Sequence, residues 1–245
     1  MTQRNTASDG ASAGFYGKLP SLGDFVSRRL PARFLQPWDL WLRESVAASQ
    51  GQLGQEWLEH YLTSPLWRFV LSPGIAGQTG WAGVLMPSVD RVGRYFPLTL
   101  ACPLSPDTNP FRLLCTADWF ERTEAIALSA LAEGFDLSDF DSRVLGLGPV
   151  QPQAPTSATV AVESGVQNAW QVEVPSVAQL PQACQVLLGR ALDELFFAYS
   201  LWWTSGSERV APSLLASQGL PAPDGFVGLL AGDWDSRGWQ RLGPT

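Results

Sequence analysis

Residues able to do chemistry are few and scattered in this sequence. Histidine occurs once, as His60, inside Glu56-Trp57-Leu58-Glu59-His60-Tyr61. A Ser-His-Asp relay would have to run through it, yet no Gly-x-Ser-x-Gly elbow is present. Histidine-based zinc sites fail for the same shortage. The helical setting beside Trp57 and Leu58 instead gives His60 a packing or surface role. Gly17-Lys18 invites comparison with a phosphate-binding loop, in which backbone amides and a hydroxyl converge on phosphate and magnesium. Here Leu19 follows the lysine, Pro20 removes an amide, and position 12 is Ser12 rather than glycine. Asp136, Asp139 and Asp141 interleave with Phe135, Leu137 and Phe140, and the glycine and terminal glutamate of a calcium loop are missing. They read as a solvated acidic turn.

Two polar segments survive this test as binding candidates. Lys18 and Asp24 are bracketed by Gly17 and Gly23, which predicts a tight turn with backbone angles open to glycine. They are structural or binding residues, not catalysts. Ser88, Asp90, Arg91 and Arg94 lie in a Pro87–Gly93 loop between apolar runs. Two arginines three apart beside an aspartate can form a planar fork for a carboxylate or phosphate. The same residues can instead make an internal Asp–Arg pair that ties the loop to a sheet edge. If one arginine is consumed that way, the other stays free.

Composition narrows the function classes. The net charge of -7 leaves no basic surplus to displace counterions from phosphates, so nucleic acid is not expected as a main partner. Hydrophobic residues make up 45% and charged residues only 16% of the 245, which predicts a packed domain rather than a disordered chain. Cys102, Cys115 and Cys184 are odd in number and widely spaced, unlike a disulfide framework. No apolar run reaches the length of a membrane span, and Met1–Gly14 has no apolar core of a signal peptide. The expectation is a cytoplasmic protein without membrane insertion, cofactor or metal.

The elements that must position these residues follow from periodicity. Residues 1–14 are expected as a disordered tail, and 15–245 as one domain with a Pro/Gly-rich loop near 146–157. A strand opens at Phe15. A helix starting at Pro37 places Trp38, Trp41, Leu42 and Val46 on one face, and a second covers Gln55 to Leu62. Leu66–Leu71, Trp81–Met86 and Tyr95–Cys102 read as buried strands joined by turns. Asp118 caps a helix, with Glu121 completing a capping box. Ala158–Val162 and Trp170–Val174 read as a hairpin. Pro181 opens a helix with Cys184, Leu187, Leu188, Ala191, Leu192 and Leu195 on one side. Tyr199–Trp203 returns as a strand, and a loop-rich end follows, with an apolar segment at Phe226–Leu230. The fold class is α/β: a single mixed, largely antiparallel sheet covered by helices on both faces in three layers, or alternatively a two-layer longin-like arrangement. Trp202 and Trp203 cannot both point to one side of a strand. Either one is an exposed interface anchor or helices cover both faces.

Three segments resemble the TagF family of type VI secretion-associated proteins. The first is Gly14–Val26 (GFYGKLPSLGDFV), with Arg29–Pro31 (RLP) and Pro37–Leu42 (PWDLWL). The second is Pro65–Phe69 (PLWRF) with Trp81–Thr99 (WAGVLMPSVDRVGRYFPLT). The third, shorter, is Ser200–Ser207 (SLWWTSGS). The likeness spans about residues 14–104 firmly and the remainder loosely. It implies an accessory protein of the secretion apparatus. Such a protein represses assembly or firing after translation, is tied to a forkhead-associated scaffold, and works beside a threonine phosphorylation switch. It implies no catalytic residues. The competing expectations are an uncharacterised hydrolase or nucleotide-binding enzyme on the same scaffold, which a convergent polar pocket would mark, and a structural subunit of the machine.

Overall fold

The computed structural model describes residues 12–106, 108–151, 172, 174, 176–234 and 238–242, and every structural statement concerns these. The expected tail falls almost wholly outside them, as does the expected hairpin at 158–174.

Seven strands build one sheet: β1 Gly14–Gly17, β2 Val26–Arg28, β3 Trp67–Leu71, β4 Trp81–Met86, β5 Leu98–Pro103, β6 Tyr199–Thr204 and β7 Ser213–Gln218. Their order is β2-β1-β5-β4-β3-β6-β7. Every neighbouring pair is antiparallel, so no strand supplies the parallel component that a mixed sheet would have. Short links between β3, β4 and β5 favour that pairing, because parallel neighbours need long crossovers. The run expected to begin at Tyr95 enters the sheet only at Leu98. Before it, Tyr95 makes an isolated bridge to Val89. Two strands were not legible: β2, only three residues long, and β7, whose uncharged Ser-Leu-Leu-Ala-Ser-Gln run lacks a clean apolar alternation.

Six helices accompany the sheet: α1 Ala32–Leu53, α2 Trp57–Thr63, α3 Ala117–Ser129, α4 Leu137–Leu145, α5 Leu180–Leu195 and α6 Phe226–Ala231. Pro37 is interior to α1 rather than first in it. A proline there forfeits a backbone hydrogen bond. Packing outweighs that loss: Phe34, one turn earlier, is buried between Trp38 at 5.3 Å and Trp81 at 4.6 Å. Helix α3 starts at Ala117 after Thr116, so Asp118 lies in its first turn and is not its cap. The acidic turn is the start of α4, where the Asp136 side chain accepts from Asp139 N at 2.7 Å. Helix α5 is as long as its periodicity predicts but is rotated. Leu192 packs with Phe196 against Phe111, Tyr199 and Leu201, while Cys184, Leu188 and Leu195 are exposed.

Alternating strand residues enter two separate clusters, as the period of two demands. Trp67, Phe69 and Leu71 of β3, Trp81 and Leu85 of β4, and Trp202 of β6 pack with α1, α2 and α6. Val70, Ala82, Val84, Met86, Leu98, Leu100 and Cys102 pack with α3 and α4. The many tryptophans belong largely to the first cluster, and buried indoles find acceptors. Trp38 donates to Thr99 Oγ1 at 2.9 Å, Trp41 to Pro221 O at 2.7 Å and Trp67 to Leu229 O at 3.0 Å.

Candidate functional site

Topology brings the two candidate segments together. β1 lies beside β5 in antiparallel register, with Tyr16 opposite Thr99. The turn leaving β1 therefore meets the loop entering β5. Gly17 makes the approach possible: its φ is 138°, and a Cβ there would sit 2.2 Å from Pro97 O. The expected unusual backbone is found at Gly17 but not at Gly23, which is absent from the glycines of positive φ.

Lys18 and Asp90 form the centre of the junction. Both side chains are buried, and Nζ donates to Oδ2 at 2.7 Å. Arg94 Nε donates to the same oxygen at 2.7 Å. The other oxygen, Oδ1, accepts from Val92 N at 3.0 Å and Arg94 N at 2.9 Å. Burial by itself pushes the Asp90 carboxyl up. The hydrogen bonds from Lys18, Arg94 and Val92 outweigh it and hold the group well below the usual carboxylate range. The loop closes as a turn in which Gly93 N donates to Asp90 O at 3.0 Å, with Gly93 at φ 82°.

Further bonds clamp the loop. Ser88 Oγ donates to Lys18 O at 2.7 Å. Arg91 N donates to Leu22 O at 2.9 Å, and Arg94 Nη2 donates to Gly23 O. Beneath, the Tyr61 hydroxyl donates to Ser88 O at 2.9 Å and accepts from Ser88 N at 3.0 Å. Burial raises the Tyr61 pKa above the ordinary tyrosine value, with a smaller opposing pull from the Ser88 backbone, so the hydroxyl stays protonated as a donor. Phe25 lies over Lys18, its centroid 5.1 Å from Nζ, and stacks on Tyr16 at 5.8 Å. The Tyr16 hydroxyl donates to Asp39 Oδ1, and Arg43 Nε holds Asp39 Oδ2 at 2.9 Å, tying β1 to α1.

Of the eight residues singled out in the sequence, Lys18, Ser88, Asp90 and Arg94 share one network. Arg91 joins it through its backbone only: its guanidinium has no hydrogen bond or ion pair among the described residues. Asp24 is exposed and accepts from Phe25 N at 2.8 Å, which shapes the turn rather than the network. Trp202 and Trp203 are elsewhere. Trp202 is fully buried against Trp38, Trp41 and Phe69, so it is no surface anchor. Trp203 points to the opposite face, where Phe120 meets it edge-on at 4.7 Å. Sequence reasoning missed Tyr61 and Tyr16. Tyr61 was legible only as an apolar helix residue, and nothing local couples it to Ser88, 27 residues on.

His60 lies in α2 with Nε2 3.9 Å from Glu56 Oε2, one helical turn away. Among the described residues, no group of three or more His, Cys, Asp or Glu is placed to hold a metal ion. No helix there is long and apolar enough to cross a membrane. A shallow apolar cleft lined by Tyr61, Pro65, Trp67, Pro87, Pro97 and Phe226 borders the loop base.

A family model described as the TagF N-terminal domain, type VI secretion system-associated, matches residues 14–147. Among solved structures, the crystal structure of PA0076 from Pseudomonas aeruginosa PAO1 matches with a TM-score of 0.77 at 40% sequence identity. That alignment covers 96% of this chain and 99% of that one. No curated protein matches.

Proposed function

Because the chain belongs to the TagF N-terminal domain family, which is associated with type VI secretion, we propose that it is a negative regulator of that apparatus, acting by binding other proteins rather than by catalysis. In this reading a forkhead-associated scaffold is the main partner and the protein works in the cytoplasm. The two helix sets are the outer layers of three around the sheet. One observation carries the binding role: the two longest family-like segments converge on a single clamped loop pair, held by the Lys18–Asp90–Arg94 network. Loops fixed on a rigid scaffold are where recognition residues concentrate. A buried carboxylate saturated by four donors has no free lone pair for proton transfer, which supports a positioning role for Asp90 rather than a chemical one.

The experiment is genetic and biochemical together. In a bacterium that fires the apparatus, deleting the gene should raise release of secreted effectors and overproduction should suppress it. Tagged protein from the same cells should capture a forkhead-associated scaffold. Unchanged secretion in both strains refutes the regulatory role. Capture of no component of the apparatus refutes the binding role.

A further inference from the structure

We propose that Arg91, flanked by Phe25, Val92 and Arg94 around Gly23, is the anchor for an acidic segment of a partner protein. The inference rests on the binding role proposed above and names the chemistry of the partner.

The loop junction holds more positive charge than it neutralises. Lys18, Arg91 and Arg94 face Asp90 and the exposed Asp24, three cations against two anions, in a chain whose net charge is -7. Asp90 cannot serve Arg91 as well. Its Oδ1 is taken by two backbone N–H groups and its Oδ2 by Lys18 and Arg94. Gly23 O already accepts from Arg94. The Arg91 guanidinium rests against Gly23, with Nη2 3.6 Å from where a Cβ would stand. Its backbone is pinned to Leu22. An exposed guanidinium on a fixed backbone, with its fork unfilled, loses little entropy on binding and is a typical interface hot spot.

The margins of the patch are apolar. Phe25 is 40% exposed and Val92 at the loop tip 65% exposed. A partner that places a carboxylate on Arg91 can therefore bury an apolar neighbour beside it. One open fork matches the two oxygens of a single carboxylate bidentately. A phosphate carries nearly twice the charge, while Arg94 and Lys18 are already committed. A nucleic acid would meet the overall negative field of the molecule.

The test uses the full chain and the partner that the wild type captures. A benzophenone side chain installed at Val92 should cross-link a partner segment rich in Asp or Glu. Arg91→Glu should weaken capture roughly tenfold or more, with Arg91→Gln between it and wild type. Reversing the mapped partner carboxylate to arginine should restore binding to Arg91→Glu. Arg91→Glu that binds within about twofold of wild type, or a cross-linked segment without acidic residues, overturns the inference and leaves the binding role standing. Loss of capture on phosphatase treatment of the partner overturns the carboxylate assignment. A wild-type chain that captures no partner overturns the binding role and this inference with it. Should Arg91→Glu fold poorly, the Val92 cross-link map decides alone.

Discussion

Tyr61→Phe removes one oxygen atom and tests whether the loop pair is held from below. The ring keeps its contacts with Trp57 at 4.8 Å and Tyr95 at 5.9 Å, so packing is preserved. Two hydrogen bonds to Ser88 disappear, at 2.9 and 3.0 Å. Their consequences differ. Ser88 O keeps a second donor, Phe96 N at 3.0 Å, so its loss costs about 0.5–1.5 kcal/mol. Ser88 N has no other partner among the described residues and is left buried and unpaired, at about 1–3 kcal/mol. Together the change should destabilise the chain by about 1.5–4.5 kcal/mol, or roughly 3–18 °C in Tm for a domain of this size. Circular dichroism melts and urea titrations read the global effect. Hydrogen exchange should show the Ser88 amide losing protection before amides in β4. A Tm within about 2 °C of wild type, with Ser88 exchange unchanged, would mean the hydroxyl does not hold the loop.

Three further outcomes are expected. Trp202→Ala should cost about 3–5 kcal/mol, because it deletes a fully buried indole that touches Trp38, Trp41 and Phe69; a stable variant with impaired partner capture would restore Trp202 as a surface anchor. Stability should fall at both pH extremes. Asp90 is depressed in the fold, so its contribution is fully present above its ordinary value of 3.8 and is lost progressively as pH falls from there through its lower folded value. Tyr16, Tyr61 and Tyr199 are raised, first of all by burial, so theirs is present below 10.0 and lost as pH rises past it. Tm measured against pH checks both arms, and Asp90→Asn should flatten the acid one. Finally, brief proteolysis should trim only the residues before about Gly14 and leave a body that melts in one transition, since β6, from beyond the 146–157 loop, pairs directly with β3 in one continuous sheet; two stable fragments parted near 148–157 would divide the chain into two domains.

The sequence by itself carried whatever depends on neighbours along the chain. The apolar, aromatic-rich runs at Trp81–Met86 and Tyr199–Thr204 became strands because their composition is a local property. The 3.6-residue stripe of Trp38, Trp41, Leu42 and Val46 became the buried face of α1 for the same reason. The family motifs were readable as strings, and so was the scarcity of catalytic residue types. The tertiary structure decided everything that depends on which strand lies beside which. Alternation said that Trp202 and Trp203 point opposite ways, but only the presence of α1 on one face and α3 on the other buried Trp202 and set Phe120 against Trp203. Stripe periodicity gave the length of α5, yet its docking against Phe111 and Tyr199 chose which side is covered. Pro37 marked a helix start by local rules, and the packing of Phe34 overrode them. Lys18 and Asp90 are separated by 72 residues. No local propensity links them, and their ion pair exists because β1 adds to the sheet beside β5. Contacts of that separation are set by chain topology, which follows from the summed burial of the whole core rather than from any segment within it.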